Sequence, residues 1–60
     1  MNEDRKRSAK KILELRTDKG LTQEEFARLL EVSVSTVQKW ESGRALPRTQ
    51  ALKKAIERVA

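Results

Sequence analysis

Apolar residues in this chain fall into four short groups, each with the three- and four-residue spacing of an amphipathic helix. The first group lies in residues 4–18. There Ile12 and Leu15 share a face, Ser8 and Ala9 precede them on the same side, and the remainder is rich in strong helix formers. Gly20 stands where a left-handed residue ends such a helix. The second group opens at Thr22, which with Glu25 three residues later forms a capping box, each side chain satisfying a free backbone N–H. Leu21 before the cap can pack on Phe26 as a hydrophobic staple. Phe26, Ala27, Leu29 and Leu30 supply the apolar side, and the helix ends near Leu30. Glu31 and Val32 form a turn. Ser33 is a good N-cap for a third helix running to about Ser42, with Gly43 as its C-cap. Val37 and Trp40 mark the buried face of that helix. A loop from Arg44 to Arg48 holds Leu46 and Pro47. Thr49 then caps a fourth helix over residues 49–59, striped by Leu52, Ala55, Ile56 and Val59.

No strand alternation, repeat or low-complexity segment interrupts this pattern. It predicts an all-α fold, a compact bundle of four short helices (five at most), as one domain over residues 1–60. The predicted core is Ile12, Leu15, Phe26, Ala27, Leu30, Val32, Val37, Trp40, Leu52 and Ile56.

Composition narrows the function classes. A 60-residue domain buries only about 60% of the surface its unfolded chain exposes, which leaves no scaffold for a large catalytic cleft. The chain has neither Cys nor His. Disulfides, thiolate chemistry, imidazole ligands and the commonest general base are therefore missing. An enzyme is a poor reading, and no metal, cofactor or small-molecule substrate is expected. No apolar run approaches the length of a membrane span, and the basic N-terminus lacks the apolar stretch of a signal peptide. A cytoplasmic protein is the expectation. Fourteen Lys and Arg against nine Asp and Glu give a formal charge of +5, which favours an anionic partner, nucleic acid first. Charge alone fits a solvated helical surface about as well. The first eleven residues are the most charged part, with five basic residues (Arg5, Lys6, Arg7, Lys10, Lys11) against two acidic ones (Glu3, Asp4), a net of +3. A frayed, solvated first turn is expected at Glu3 and Asp4. Among the apolar residues, Leu13 lies off the Ile12–Leu15 face and reads as partly exposed.

Particular residues carry a family resemblance. They are Leu15-Arg16 before Gly20-Leu21-Thr22-Gln23, then Ala27, Leu30, Val32-Ser33, Val37 and Trp40-Glu41-Ser42-Gly43-Arg44, with Pro47 and Leu52 beyond. Over residues 8–59 the chain resembles the Cro and lambda-repressor type of helix-turn-helix domain, the XRE family of prokaryotic and phage regulators. The motif proper spans 22–43. Glu31 departs from the family, which often places Gly at this turn; a positive φ there costs a non-glycine residue about 1 kcal/mol or more.

The resemblance implies a small transcriptional regulator, a repressor, that binds specific double-stranded DNA with its third helix in the major groove. Carried over by position, Ser33, Val34, Ser35, Gln38 and Lys39 read bases. The spacing agrees, because Val34, Ser35, Gln38 and Lys39 lie opposite Val37 and Trp40 on a helical wheel. Gln38 suits adenine, Lys39 suits guanine or a phosphate, and Val34 suits a thymine methyl. Arg16, Gln23, Thr36, Ser42, Arg44 and Arg48 fall where the backbone is held, and phosphate contacts fix register without reading sequence. Arg16 is also expected to pair with Glu41 as a structural pair. Taken as exposed, such a pair contributes only about 0–1 kcal/mol. The basic N-terminal arm adds electrostatic attraction.

Many family members dimerise through a fifth helix. Four helices fill this sequence, so a homodimer or another partner protein is left open. The competing class is a protein-interaction module of antitoxin type, whose main ligand is a partner protein.

Overall fold

The computed structural model describes residues 3–59 as four helices: α1 (Glu3–Asp18), α2 (Gln23–Leu30), α3 (Val34–Glu41) and α4 (Gln50–Val59). Met1, Asn2 and Ala60 lie outside the described residues. No strand occurs among the described residues. The all-α fold of four helices is therefore the one the pattern predicts. At a rise of about 1.5 Å per residue, the 16 residues of α1 reach about 24 Å. That nearly matches the 27 Å long dimension of the molecule.

The helix starts follow from side chains that satisfy free N–H groups. Glu3 and Asp4, expected to fray, belong to the first turn of α1, where carboxylates complement the helix dipole. At α2 the capping box is complete: the Glu25 N–H donates to Thr22 Oγ1 at 3.0 Å, and the Thr22 N–H donates to Glu25 Oε1 at 2.9 Å. These hydrogen bonds to the charged form, first from the Thr22 backbone and then from its hydroxyl, hold the Glu25 carboxyl below its ordinary value, with Arg28 adding a smaller effect. Ser33 caps α3 through the Thr36 N–H, and Thr49 caps α4 through the Leu52 N–H at 3.1 Å.

Three of the helix ends use one device. After α1 the Leu21 N–H reaches back to the Arg16 carbonyl and the Gly20 N–H to that of Thr17, a Schellman closure with Gly20 at φ 69°. After α3 the Arg44 N–H reaches Lys39 and the Gly43 N–H reaches Trp40, with Gly43 at φ 77°. After α2 the Val32 N–H reaches Ala27 and the Glu31 N–H reaches Arg28, but the left-handed residue is Glu31 at φ 57°. Among the described residues it is the only non-glycine with positive φ.

The core joins Ile12, Phe26, Ala27, Leu30, Val37, Trp40 and Ile56, with Phe26 and Val37 fully buried. Leu15, Val32 and Leu52, predicted as core, lie partly buried against it. Leu29 departs from the expected apolar side of α2: it is 58% exposed. Phe26, Ala27 and Leu30 cluster within about 100° of the helix circumference, and Leu29 falls roughly 100° off their centre. Helix α3 packs on both α1 and α2, and α4 packs on α2. One side of α3 is thereby covered, and the other is left to solvent.

Candidate nucleic-acid interface

Helix α3 divides cleanly. Val37 and Trp40 are buried, whereas Ser35, Gln38 and Lys39 are exposed. With Ser42 and Arg44, those three exposed residues line one shallow depression of about 320 Å³. Lys39 also borders a second depression of about 330 Å³ with Thr36 and Arg48, where the 44–49 loop meets α3. Seven of the candidate residues thus share one continuous stretch of surface, with three cations among them.

Ser33 and Val34 sit at the margin of that stretch, Ser33 joined to it through Thr36. The Ser33 hydroxyl accepts the Thr36 N–H at 3.2 Å and hydrogen-bonds the Thr36 hydroxyl at 2.8 Å, so both side chains are already engaged at the start of α3. Val34 is only partly exposed and packs against the core. It lies about 60° from Val37 around the helix, at the edge of the buried face and not on the outer one. The Ser42 hydroxyl donates to the Lys39 carbonyl at 3.1 Å, which closes the last turn of α3.

A second cluster forms where the end of α1, the start of α2 and the end of α3 meet. Arg16 Nε donates to Glu41 Oε2 at 2.6 Å and Arg16 Nη2 to Glu41 Oε1 at 3.1 Å, a bidentate fork. Arg16 Nη1 donates to the Leu21 carbonyl at 2.7 Å. The two side chains are 14% and 7% exposed, so this pair is largely withdrawn from water and does not fit the weak exposed pair that the sequence suggested. Gln23 adds a third arm, its Nε2 donating to Glu41 Oε1 at 3.0 Å. A carboxylate only accepts, so the Gln23 amide nitrogen must face it. One amide N–H and the amide oxygen of Gln23 remain for another partner. The places of Arg16, Glu41 and Gln23 were legible in the sequence, but the bond between Glu41 and Gln23 was not. The signal available was a carboxylate at the close of α3 and an amide at the opening of α2, 18 residues apart.

The N-terminal cations do not form a free arm. Arg5, Lys6, Arg7, Lys10 and Lys11 are exposed positions on α1 itself, and Arg7 and Lys11 border a groove between α1 and α4 together with Lys53. Among the described residues no cluster of Asp and Glu could hold a metal ion, and no helix is long and apolar enough to cross a membrane.

Two short helices at a tight turn, the second with one buried and one polar, basic face, define a helix-turn-helix domain. Comparison with known proteins agrees: the helix-turn-helix family profile matches residues 12–58, and the chain belongs to that family, in its XRE branch. It is 49% identical over 43 residues to the HTH-type transcriptional activator BcrR of Enterococcus faecalis, covering 72% of this chain and 21% of that protein. It is 46% identical over 46 residues to the HTH-type transcriptional regulator YiaG of Escherichia coli K12, covering 77% of this chain and 48% of YiaG. It is 42% identical over 45 residues to multiprotein-bridging factor 1a of Arabidopsis thaliana, covering 75% of this chain and 32% of that protein. The chain therefore spans less than half the length of each of these relatives. No solved structure matches it significantly. The chain is thus a helix-turn-helix domain, and two of these relatives are named as transcriptional regulators.

Proposed function

We propose that the domain binds a specific double-stranded DNA site with α3 in the major groove. The observation that carries this reading is the convergence of Ser35, Gln38, Lys39, Ser42 and Arg44 on one exposed face while Val37 and Trp40 anchor the opposite one. In this reading Gln38 bonds an adenine edge, Lys39 a guanine edge or a phosphate, and Ser35 a base at the entry of the helix. Ser33 and Val34, at the first turn of α3, make the more peripheral base contacts. Arg44, Arg48, Ser42 and Thr36 hold the flanking phosphates. Gln23 offers its remaining amide N–H to a phosphate at the start of α2, where free backbone N–H groups add to the attraction. Arg16 contributes chiefly by fixing Glu41, since three of its five N–H groups are used within the protein. Binding represses by occluding the site, the direction of regulation that needs nothing beyond occupancy.

Selection of bound sequences from a random duplex pool, followed by measurement of the winner at several salt concentrations, tests this. An enriched motif whose affinity falls steeply with salt is expected. Absence of enrichment, or enrichment that survives Gln38→Ala and Lys39→Ala unchanged, contradicts it.

A further inference from the structure

The side of the molecule where α2 meets α4 carries a second feature that DNA reading leaves unused. Leu29, the most exposed of the large apolar residues among those described, stands on α2 beside a groove of about 410 Å³ between α2 and α4. Leu30 and Val59 contribute to its apolar lining, and Ala51 and Ala55 lie one turn apart on α4, so that wall is low. Lys54 and Arg58, also one turn apart, are exposed and complete the lining. None of the described residues that line the groove is acidic. The carboxylate of α4, Glu57, lies about 120° away around the helix from the centre of this lining and borders the groove on the α1 side.

We propose that the α2–α4 groove docks an acidic amphipathic helix of a partner protein, with apolar residues on the Leu29–Ala55–Val59 bed and carboxylates on Lys54 and Arg58. Three features select this occupant. Exposed backbone edges of the kind that recruit an extended strand do not occur among the described residues, and a trough between two helices receives a third helix through anchors at i, i+4 and i+7. The low alanine wall lets a helix approach closely, and Leu29 then inserts between its side chains. The charge is one-sided, two cations with no carboxylate, and complementary charge sets partner choice and the speed of encounter. A second copy of the chain is disfavoured by the same charges: a two-fold contact on this face gathers two sets of Lys54 and Arg58 into one interface. Docking here is independent of the DNA reading, since it uses none of the residues assigned to α3.

The test is a display selection on the whole chain. The probe is a library of helical peptides with Leu fixed at i, i+4 and i+7 and with Glu, Lys, Gln or Ser at the flanking positions. Enrichment of Glu-flanked peptides is expected, with amide shift changes at Leu29, Ala51, Ala55 and Arg58 on binding. Leu29→Glu and the double variant Lys54→Glu/Arg58→Glu should each weaken those peptides by about tenfold or more. The double variant should admit Lys-flanked peptides instead. Both variants alter exposed positions, and circular dichroism with amide shift dispersion confirms that each is folded. The proposal is overturned if nothing is enriched, if Lys-flanked peptides win on the unaltered chain, if both variants bind as before, or if the chain dimerises through Leu29.

Discussion

Arg16 and Glu41, 25 residues apart in sequence, form a bidentate ion pair at 2.6 and 3.1 Å that ties the end of α1 to the end of α3. Both side chains are mostly withdrawn from water. Removing one partner leaves the other desolvated and unpaired, a larger penalty than loss of a surface pair. Arg16→Ala and Glu41→Ala should each lower unfolding free energy by about 1–3 kcal/mol in urea titrations. A double-mutant cycle should give a coupling above the roughly 0–1 kcal/mol of exposed pairs. A coupling near zero would place the pair among ordinary surface interactions.

Glu31 closes α2 with φ 57°, where a glycine would meet no steric opposition. Glu31→Gly should therefore raise stability by up to about 1 kcal/mol, the strain relieved being offset in part by the greater freedom of glycine in the unfolded chain. An unchanged or lower melting temperature would show that the strain is small.

The capping box makes the acid limb of the stability profile specific. The Glu25 carboxyl titrates below its ordinary value of 4.5, so the folded state favours its ionised form. Stability from this group is complete above the unfolded value and is lost as pH falls through the lower folded one. Stability of the native chain should decline below about pH 4.5, and Glu25→Gln should flatten that decline. Identical acid limbs for the two proteins would remove Glu25 from the account.

Trp40 and Phe26 are buried in a domain with little core to spare. Truncating either to Ala removes about 3–5 kcal/mol, a large share of the total for so short a chain. Loss of cooperative thermal unfolding is expected for both, and a transition near the original temperature would count against it.

The proposed interface separates into readers and holders. Gln38→Ala and Lys39→Ala should alter base preference at single positions by about 1–3 kcal/mol for each bidentate base recognition abolished. Gln23→Ala and Arg44→Ala should weaken all sequences alike; Arg44→Ala should also reduce the slope of log affinity against log salt by about 0.9, whereas loss of the neutral Gln23 amide leaves that slope unchanged. Glu41→Gln adds a finer test: if Glu41 aims the Gln23 amide, this variant and Gln23→Ala should be less than additive. Full additivity would separate the two.

The turns and caps were legible in the sequence because each is written in two or three neighbouring residues. Thr22 with Glu25, Ser33 before α3, and Gly20 and Gly43 after their helices all act locally, and all stand in the structure where the spacing sets them. The buried face of α3 was legible for the same reason. Leu29 was not, because Phe26 and Leu30 share an arc of about 100° with either Ala27 or Leu29, and the spacing alone does not choose between the two. The edge position of Val34 follows from its spacing, about 60° from Val37, and the expectation that set it opposite the buried face overlooked this. The Glu41–Gln23 bond joins two helices whose approach is set by the core, and no local spacing encodes it.

The carboxylate of Glu41 gathers bonds from α1 and α2 at the closing turn of α3. Whatever α3 meets, it meets with its axis already set, so association does not have to impose order on the backbone. On the proposed duplex the entropy surrendered lies in long flexible tips such as Lys39, Arg44 and Arg48, and the release of condensed counterions works against it. The heat capacity change on engaging a target should accordingly track the surface covered, with no added contribution from folding.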